Sequence, residues 1–368
     1  GLNNFQIFWW MLVTMLLYDT AYTIIGLVYS ALLPEITESD KERGELQTFA
    51  SVFQLVGMIL GFLLPDLFRA EATSTNLFPL QMGMIVVGIV GASCILVTAF
   101  NVKERREFSQ LDQALGFVES IKYTFKSKSF LILSAANFMS IFMQSIIIGS
   151  MYYLADYVLD VPTIYPLIAI FLGLLIGVFL ANLLAKKLGV VKAQQFLLTI
   201  AGIFLSLIIV VPKPLIYMCL FVAGFRLSGP QVLTNVLFAE VADEDELESG
   251  VRREASFFGV NALLTKPAQS ISLALVPWIL EITDFVTRKE NQGVAYKPQP
   301  DSAIMGIKLF IGLIPGIALL IGALILIWFP LKGKYLKDVQ NKVLALHKEK
   351  KLKLDEMDKD KKSNDEPR

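Results

Sequence analysis

The chain has 368 residues, 55% of them apolar and only 18% charged, with a mean hydropathy of +0.59, whereas soluble domains carry about a quarter charged residues. That composition excludes an ordinary water-soluble enzyme, and 33 basic against 33 acidic groups leave no net field to attract nucleic acid. Cys94 and Cys219 sit singly in apolar runs and the one histidine, His347, lies in a charged tail, so neither a disulfide framework, a metal cluster nor histidine-based catalysis has residues to use within the body of the protein.

A hydrocarbon core about 30 Å thick needs roughly 20 apolar residues in a helix. Nine segments meet that need in chain order: 6–33, 48–67, 78–100, 129–158, 164–185, 194–211, 215–238, 256–280 and 304–329. No basic segment precedes the first apolar run, which argues against a secretory signal. Ionisable groups inside such spans are costly and mark pathways unless they snorkel or act as structural glue.

Asp19 lies mid-way along the first segment, with Tyr22 and Thr23 one helical turn on. It reads as a carboxylate facing a wet cavity, or as a structural carboxylate satisfied by a neighbouring helix. In the seventh segment Arg226 stands in a glycine- and proline-bracketed stretch, followed at helical spacing by Gln231, Thr234 and Asn235; a polar stripe of this kind faces a cavity or a bundle interior rather than acyl chains. In the eighth, Lys266 precedes Pro267 beside a face formed by Asn261, Thr265, Gln269 and Ser272. A buried lysine needs a carboxylate partner or loses its proton; Asp19 is the candidate within this chain, and a carboxylate in helices preceding it is an equal alternative.

Lysine and arginine in the connections set the orientation. Taken on alternate sides, loops 35–47, 101–128, 186–193 and 239–254 hold 13 basic residues against five in the opposite loops, and the tail adds 12 more to the richer side. The positive-inside rule puts that side and the C-terminus in the cytoplasm, giving a multi-pass protein expected in the plasma membrane. The tail continues from Lys332 with Leu336, Val339, Val343 and Leu346 at helical spacing, then turns Lys/Asp/Glu-rich, a composition expected of a disordered, solvated end.

Two of the cytoplasmic connections are rich in mixed charge. Each reads either as a solvated loop or as half of an ion-paired gate between two bundles. The first runs Ala31-Leu32-Leu33-Pro34-Glu35-Ile36-Thr37 and on through Asp40-Lys41-Glu42-Arg43; the second sets Ala239-Glu240, Asp243, Glu246, Gly250 and Arg252-Arg253-Glu254 at fixed intervals. These resemble the two signature loops of the melibiose permease-like glycoside-pentoside-hexuronide:cation symporters of the major facilitator superfamily. Ala185-Lys186-Lys187-Leu188-Gly189 also resembles that family's short basic loop.

The resemblance implies an all-α membrane protein of two helical bundles, with nine transmembrane helices here of an expected twelve, the chain being N-terminally truncated. Residues 1–100 would be the second half, three helices, of the N-terminal bundle; 101–128 a cytoplasmic linker; 129–330 the C-terminal six-helix bundle; and 331–368 the cytoplasmic tail. It implies a secondary active transporter, not an enzyme, that moves a small solute, a sugar or glycoside, by alternating access. The partners expected are that solute and the lipid bilayer, with no nucleic acid; the protein is expected to be a monomer, with no cofactor beyond a coupling Na+ or H+.

The family's binding residues carry over incompletely. Its cation-binding aspartate falls on Gly26, its sugar-stacking tryptophan on Ser30, its sugar-binding arginine on Ser51 and a second aromatic on Gln231, while its eleventh-helix lysine is matched by Lys266. Asp19, two turns before Gly26 on nearly the same helical face, can supply a displaced carboxylate. The expected substrate and cation site is therefore Asp19, Tyr22, Thr23, Arg226, Gln231, Asn235, Lys266 and Gln269. The expected cytoplasmic gate is Glu35, Asp40, Arg43, Glu240, Asp243, Arg252 and Arg253. The lost tryptophan and arginine keep two alternatives open: a carrier of lysolipids or other amphipathic lipids, and a transport-dead structural or sensor homologue. An integral-membrane transferase is disfavoured by the absence of histidine from the spans.

Overall fold

In a computed structural model of the protein, the residues described are 3–37, 39–71, 78–102, 122–229, 233–250, 254–287 and 299–365. Among them there is no strand. With no water in a bilayer to satisfy peptide groups, long runs of Leu, Ile, Val and Phe adopt the one local structure that pairs every N–H within the segment. The helices are α1 (Asn4–Ile36), α2 (Asp40–Glu71), α3 (Phe78–Asn101), α4 (Lys128–Tyr153), α5 (Ile164–Leu188), α6 (Val190–Leu207) and α7 (Lys213–Gly229). They continue with α8 (Asn235–Ser249), α9 (Glu254–Ile282), α10 (Asp301–Lys308), α11 (Ile314–Ile325) and α12 (Gly333–Asp365). Short π-helical stretches, Leu154–Leu159 and Leu309–Leu313, extend α4 and join α10 to α11.

Seven segments among the described residues are long and apolar enough to cross a membrane, and each coincides with a segment expected from the sequence. The other two expected segments are also helical: 48–67 lies within α2, and 215–238 spans α7 and the start of α8, with 230–232 between them outside the described residues.

The ends follow local chemistry. Asn3 and Gln6 form a reciprocal capping box at the start of α1. Ser127 accepts the Phe130 amide at the start of α4. At the end of α5, Lys186 and Lys187 occupy the last turn, where the helix dipole favours cations.

The densest packing lies among α4 to α9 and α11, around Phe130, Phe238, Phe257, Phe310 and the aliphatic side chains between them. The closest helix pair is α5 with α7, where Gly173 and Gly224 face each other. A Cβ at Gly173 would collide with the Phe221 carbonyl oxygen, and one at Gly224 with that of Ile170, so only hydrogen at both positions lets the backbones approach this far. In contrast, α1 and α3 leave nearly all their apolar side chains uncovered by the described chain. From the N-terminal side, α1 packs on α9 and α8, and α2 on α5 and α8.

Three expectations are corrected here. The two mixed-charge segments are not solvated loops: α1 runs to Ile36, α2 begins at Asp40, and α8 continues through the acidic run to Ser249. Glu240, Asp243, Asp245 and Glu246 are all buried, because they project from a helix packed among its neighbours rather than from a loop in water. The tail is not a disordered end, since α12 spans Gly333–Asp365. It docks on α8 with Val339 and Val343 buried, which gives the Leu/Val stripe read from the sequence an apolar surface to cover.

Candidate functional site: a mid-helix ion pair and a buried charged junction

Asp19 and Lys266, 247 positions apart, form an ion pair between α1 and α9. Each sits near the middle of its helix. Pro267 lacks an N–H, so the helix carbonyl one turn back from it, at Leu263, is freed beside Lys266. The pair is half-open: the Lys266 side chain is 42% exposed and that of Asp19 60%. The pair therefore stands at the boundary between α1 and α9, with neither side chain enclosed by the described residues.

The companions of this pair are arranged differently from the expectation. Thr23 donates its hydroxyl to the backbone carbonyl of Asp19, and Tyr22 stacks on Tyr18 with ring centroids 6.2 Å apart. Both line the same helix, yet neither is bonded to the Asp19 carboxylate. Gln269, one turn beyond Lys266, is exposed. Asn261, one turn before Thr265, accepts a hydrogen bond from Asn137 of α4 at 3.3 Å, a partner not foreseen from sequence.

Arg226 is fully buried. One terminal nitrogen, Nη2, donates to the Ser140 hydroxyl of α4, and Nε and Nη1 have no hydrogen-bond partner among the described residues. Asn235 does not join the Asp19 pair: its amide donates to Gln47 of α2 at 3.1 Å, while the adjacent Thr234 accepts from Gln194 of α6 at 3.1 Å. Gln231 lies outside the described residues.

The second constellation is at the ends of α1, α2, α5, α8 and α12. Arg43 grips Asp243 with two nitrogens, at 2.8 and 3.4 Å, and its Nε donates to the Thr37 carbonyl at 2.9 Å. The planar guanidinium fork matches a carboxylate in this way, whereas an ammonium cannot. Both side chains are buried, at 1% and 7% exposure. Glu240 is buried on the same helix as Asp243. Arg252 and Arg253 lie outside the described residues, as do the side chains of Glu35 and Asp40. Lys186 at the end of α5 reaches Glu45 of α2 at 3.0 Å and holds that carboxyl below its usual range.

Sequence reasoning missed the tail's part in this junction. Glu246, with no exposed surface, is bonded at 2.9 Å by His347 Nε2 and at 2.9 Å by Lys350 Nζ, both from α12. Tyr335 donates to Glu244 at 2.8 Å; that bond, then burial, pushes the Tyr335 phenol up to about 12. The signal was present: Val339, Val343, His347 and Lys350 recur at helical spacing on one face. Among the described residues no cluster of His, Cys, Asp and Glu could hold a metal ion.

Residues 2–333 match the family described as MFS/sugar transport protein. Among curated proteins the chain is 22% identical to an uncharacterized symporter of Synechocystis sp., over 93% of this chain and 78% of that protein. It is 24% identical to Escherichia coli YagG, whose name places it among glycoside/cation symporters, over 82% of this chain and 65% of that protein. It is 21% identical to the sodium-dependent lysophosphatidylcholine symporter 1 of Gallus gallus, over 88% and 67%.

Proposed function

Because the chain belongs to the MFS/sugar transport protein family, a family of membrane transporters and not of enzymes, we propose that it moves a sugar or glycoside across the membrane by alternating access, coupled to H+ or Na+. The observation that carries this reading is the Asp19–Lys266 pair, a half-open charge pair at mid-helix depth between α1 and α9. An ionisable pair held there marks a substrate or ion pathway by default. In this reading Asp19 stands in for the carboxylate that the resemblance places at Gly26, and Lys266 is its exchange partner. Tyr22, Thr23, Arg226, Gln231, Asn235 and Gln269 complete the lining.

The two bundles, 1–100 and 129–330 joined by 101–128, rock about this site. Arg43–Asp243 holds them together on the tail side, with Glu35, Asp40, Glu240, Arg252 and Arg253 as further gate members. The protein acts as a monomer in the plasma membrane, with α12 in the cytoplasm. Proteoliposome counter-transport under an imposed Na+ or H+ gradient tests the proposal: the expected result is gradient-driven glycoside uptake that Asp19→Asn uncouples. Uptake indifferent to both gradients and to Asp19→Asn would sink it.

A second reading, a lysolipid or other amphipathic lipid as solute, is favoured by a particular feature. A groove of about 250 Å³ between α2 and α5 is lined by Leu55, Ile59, Leu167, Phe171 and Leu175, a surface suited to an alkyl chain rather than to sugar hydroxyls. Competition between glycosides and lysolipids for the same uptake separates the two.

A further inference from the structure

We propose that the outward face of α12 is a docking surface for anionic lipid headgroups, which hold the tail helix along the membrane. The inference goes beyond the transport reading and is independent of which solute is carried.

The charge of the tail is segregated along the chain. Residues 332–353 carry eight lysines against two acidic residues, Asp338 and Glu349, and the other acidic residues of the tail follow from Asp355 onward. At about 100° per residue, α12 has three faces over this stretch. Val339, Val343, His347 and Lys350 are buried on the side that docks on α8. On the flank, both acidic residues are engaged by lysines of their own helix, Asp338 with Lys342 at 2.7 Å and Glu349 with Lys353 at 2.7 Å. The outward face, an arc of about 100°, carries Lys334, Lys337, Lys348 and Lys351 with Leu344 and Leu352, all exposed. None of these four ammonium groups pairs with a carboxylate among the described residues.

The helix starts at the membrane surface. The last span closes in a tight turn, Leu326–Trp328, with the Trp328 ring exposed, and Lys332 returns its ammonium to the Ile327 carbonyl at 2.8 Å. Tryptophan and lysine at the end of a span mark the headgroup level. Gly333, with a left-handed φ of 62°, then turns the chain into α12. The hydrogen bonds to α8 give the direction from there. Tyr335 and His347, about 18 Å apart along α12, bond to Glu244 and Glu246, about 3 Å apart along α8. The two helices therefore cross steeply. Because α8 continues the segment 215–238 expected to cross the bilayer, α12 runs broadly along the membrane plane.

A helix at this level, with ammonium groups and leucines on one face, offers charge to headgroup phosphates and alkyl groups to the boundary beneath them. Lysine suits a diffuse anionic surface, since its compact charge rides on a flexible stem and needs no fixed geometry. An acidic soluble protein would meet the same charge, but the start of the helix at headgroup level and the two exposed leucines favour lipid.

The test uses the full chain carrying Cys94→Ser and Asn341→Cys, the latter exposed in the middle of the outward face while Cys219 is buried. The new thiol is labelled with an environment-sensitive fluorophore and the protein is placed in nanodiscs with both leaflets alike, so that the result does not depend on orientation. Discs of phosphatidylcholine are compared with a two-to-one mixture of phosphatidylcholine and phosphatidylserine. The expected result is a blue shift and at least twofold less quenching by neutral acrylamide in the mixed discs, both lost in high salt, which screens exposed charges. Changing Lys334, Lys337, Lys348 and Lys351 together to Gln should abolish the response. Lys342→Gln with Lys353→Gln, on the flank, should keep it. Equal emission in the two discs overturns the proposal, as does a response that survives in the fourfold variant. Protection of the label by poly-glutamate in solution, with no response to phosphatidylserine, assigns the face to an acidic protein and overturns it as well. Each of these outcomes leaves the transport reading standing.

Discussion

Arg43 of α2 and Asp243 of α8, 200 positions apart in the chain, meet at 2.8 Å in a contact that water scarcely reaches. Breaking a buried pair from one side strands the other charge, at a cost of about 3–5 kcal/mol. Asp243→Ala is therefore expected to lower the melting temperature by several degrees, while Arg43→Met with Asp243→Leu together cost less than the two single changes summed. Thermal unfolding in detergent of the wild type, Asp243→Ala, Arg43→Met, Asp243→Leu and the double variant measures this. Under the gate reading, Asp243→Ala also raises labelling of tail-side cavity cysteines.

The docking of α12 rests on Glu246 in the same way. With His347→Ala and Lys350→Met combined, the fully buried Glu246 carboxylate loses two of its partners, both from α12, and the docking of α12 should weaken. Limited trypsin digestion is expected to cut within 332–353 markedly faster than in the wild type. An unchanged cleavage rate would show that the apolar contacts of Val339 and Val343 and the Tyr335–Glu244 bond suffice.

The Tyr335 phenol, pushed up to about 12 by its bond to Glu244, has a definite sign in pH. A proton bound more tightly in the docked form stabilises docking below the ordinary phenol value of 10.0, and that contribution is lost as pH rises through about 12. In a phenolate absorbance titration, Tyr335 should therefore ionise late among the tyrosines. Tyr335→Phe should remove that late step.

Gly173→Leu tests the α5–α7 contact. The new side chain would collide with the backbone carbonyl of Phe221, and overpacking that cannot relax costs about 1–3 kcal/mol or more. Heated samples of this variant should lose their monodisperse chromatographic peak several degrees earlier than wild type. Gly88→Leu on α3, where a Cβ meets nothing within 4 Å, should leave the peak unmoved.

The amino-acid pattern determined much by itself. Runs of apolar residues too long for a soluble core specify spanning helices, because hydrocarbon offers peptide groups no other partner. The cost of a lysine at membrane depth called for a carboxylate partner or loss of its proton, and Asp19 was one candidate for Lys266. The mixed-charge segments drew attention to Arg43 and Asp243, which stand in the two runs that carry the family resemblance and pair with each other.

Only the tertiary structure decided what those charges do. Whether Glu240, Asp243 and Glu246 lie in a wet loop or inside a helix packing depends on neighbours hundreds of positions away, and charge composition alone favours the wet loop. The structure buried them and brought α12 onto α8, so that His347 and Lys350 became partners of Glu246. It also turned Asn235 toward Gln47 and left one edge of Arg226 without a partner among the described residues. Helical periodicity fixes which face a side chain is on, but not which helix stands opposite. That is a property of long-range packing, and it decides which charges of this chain meet one another.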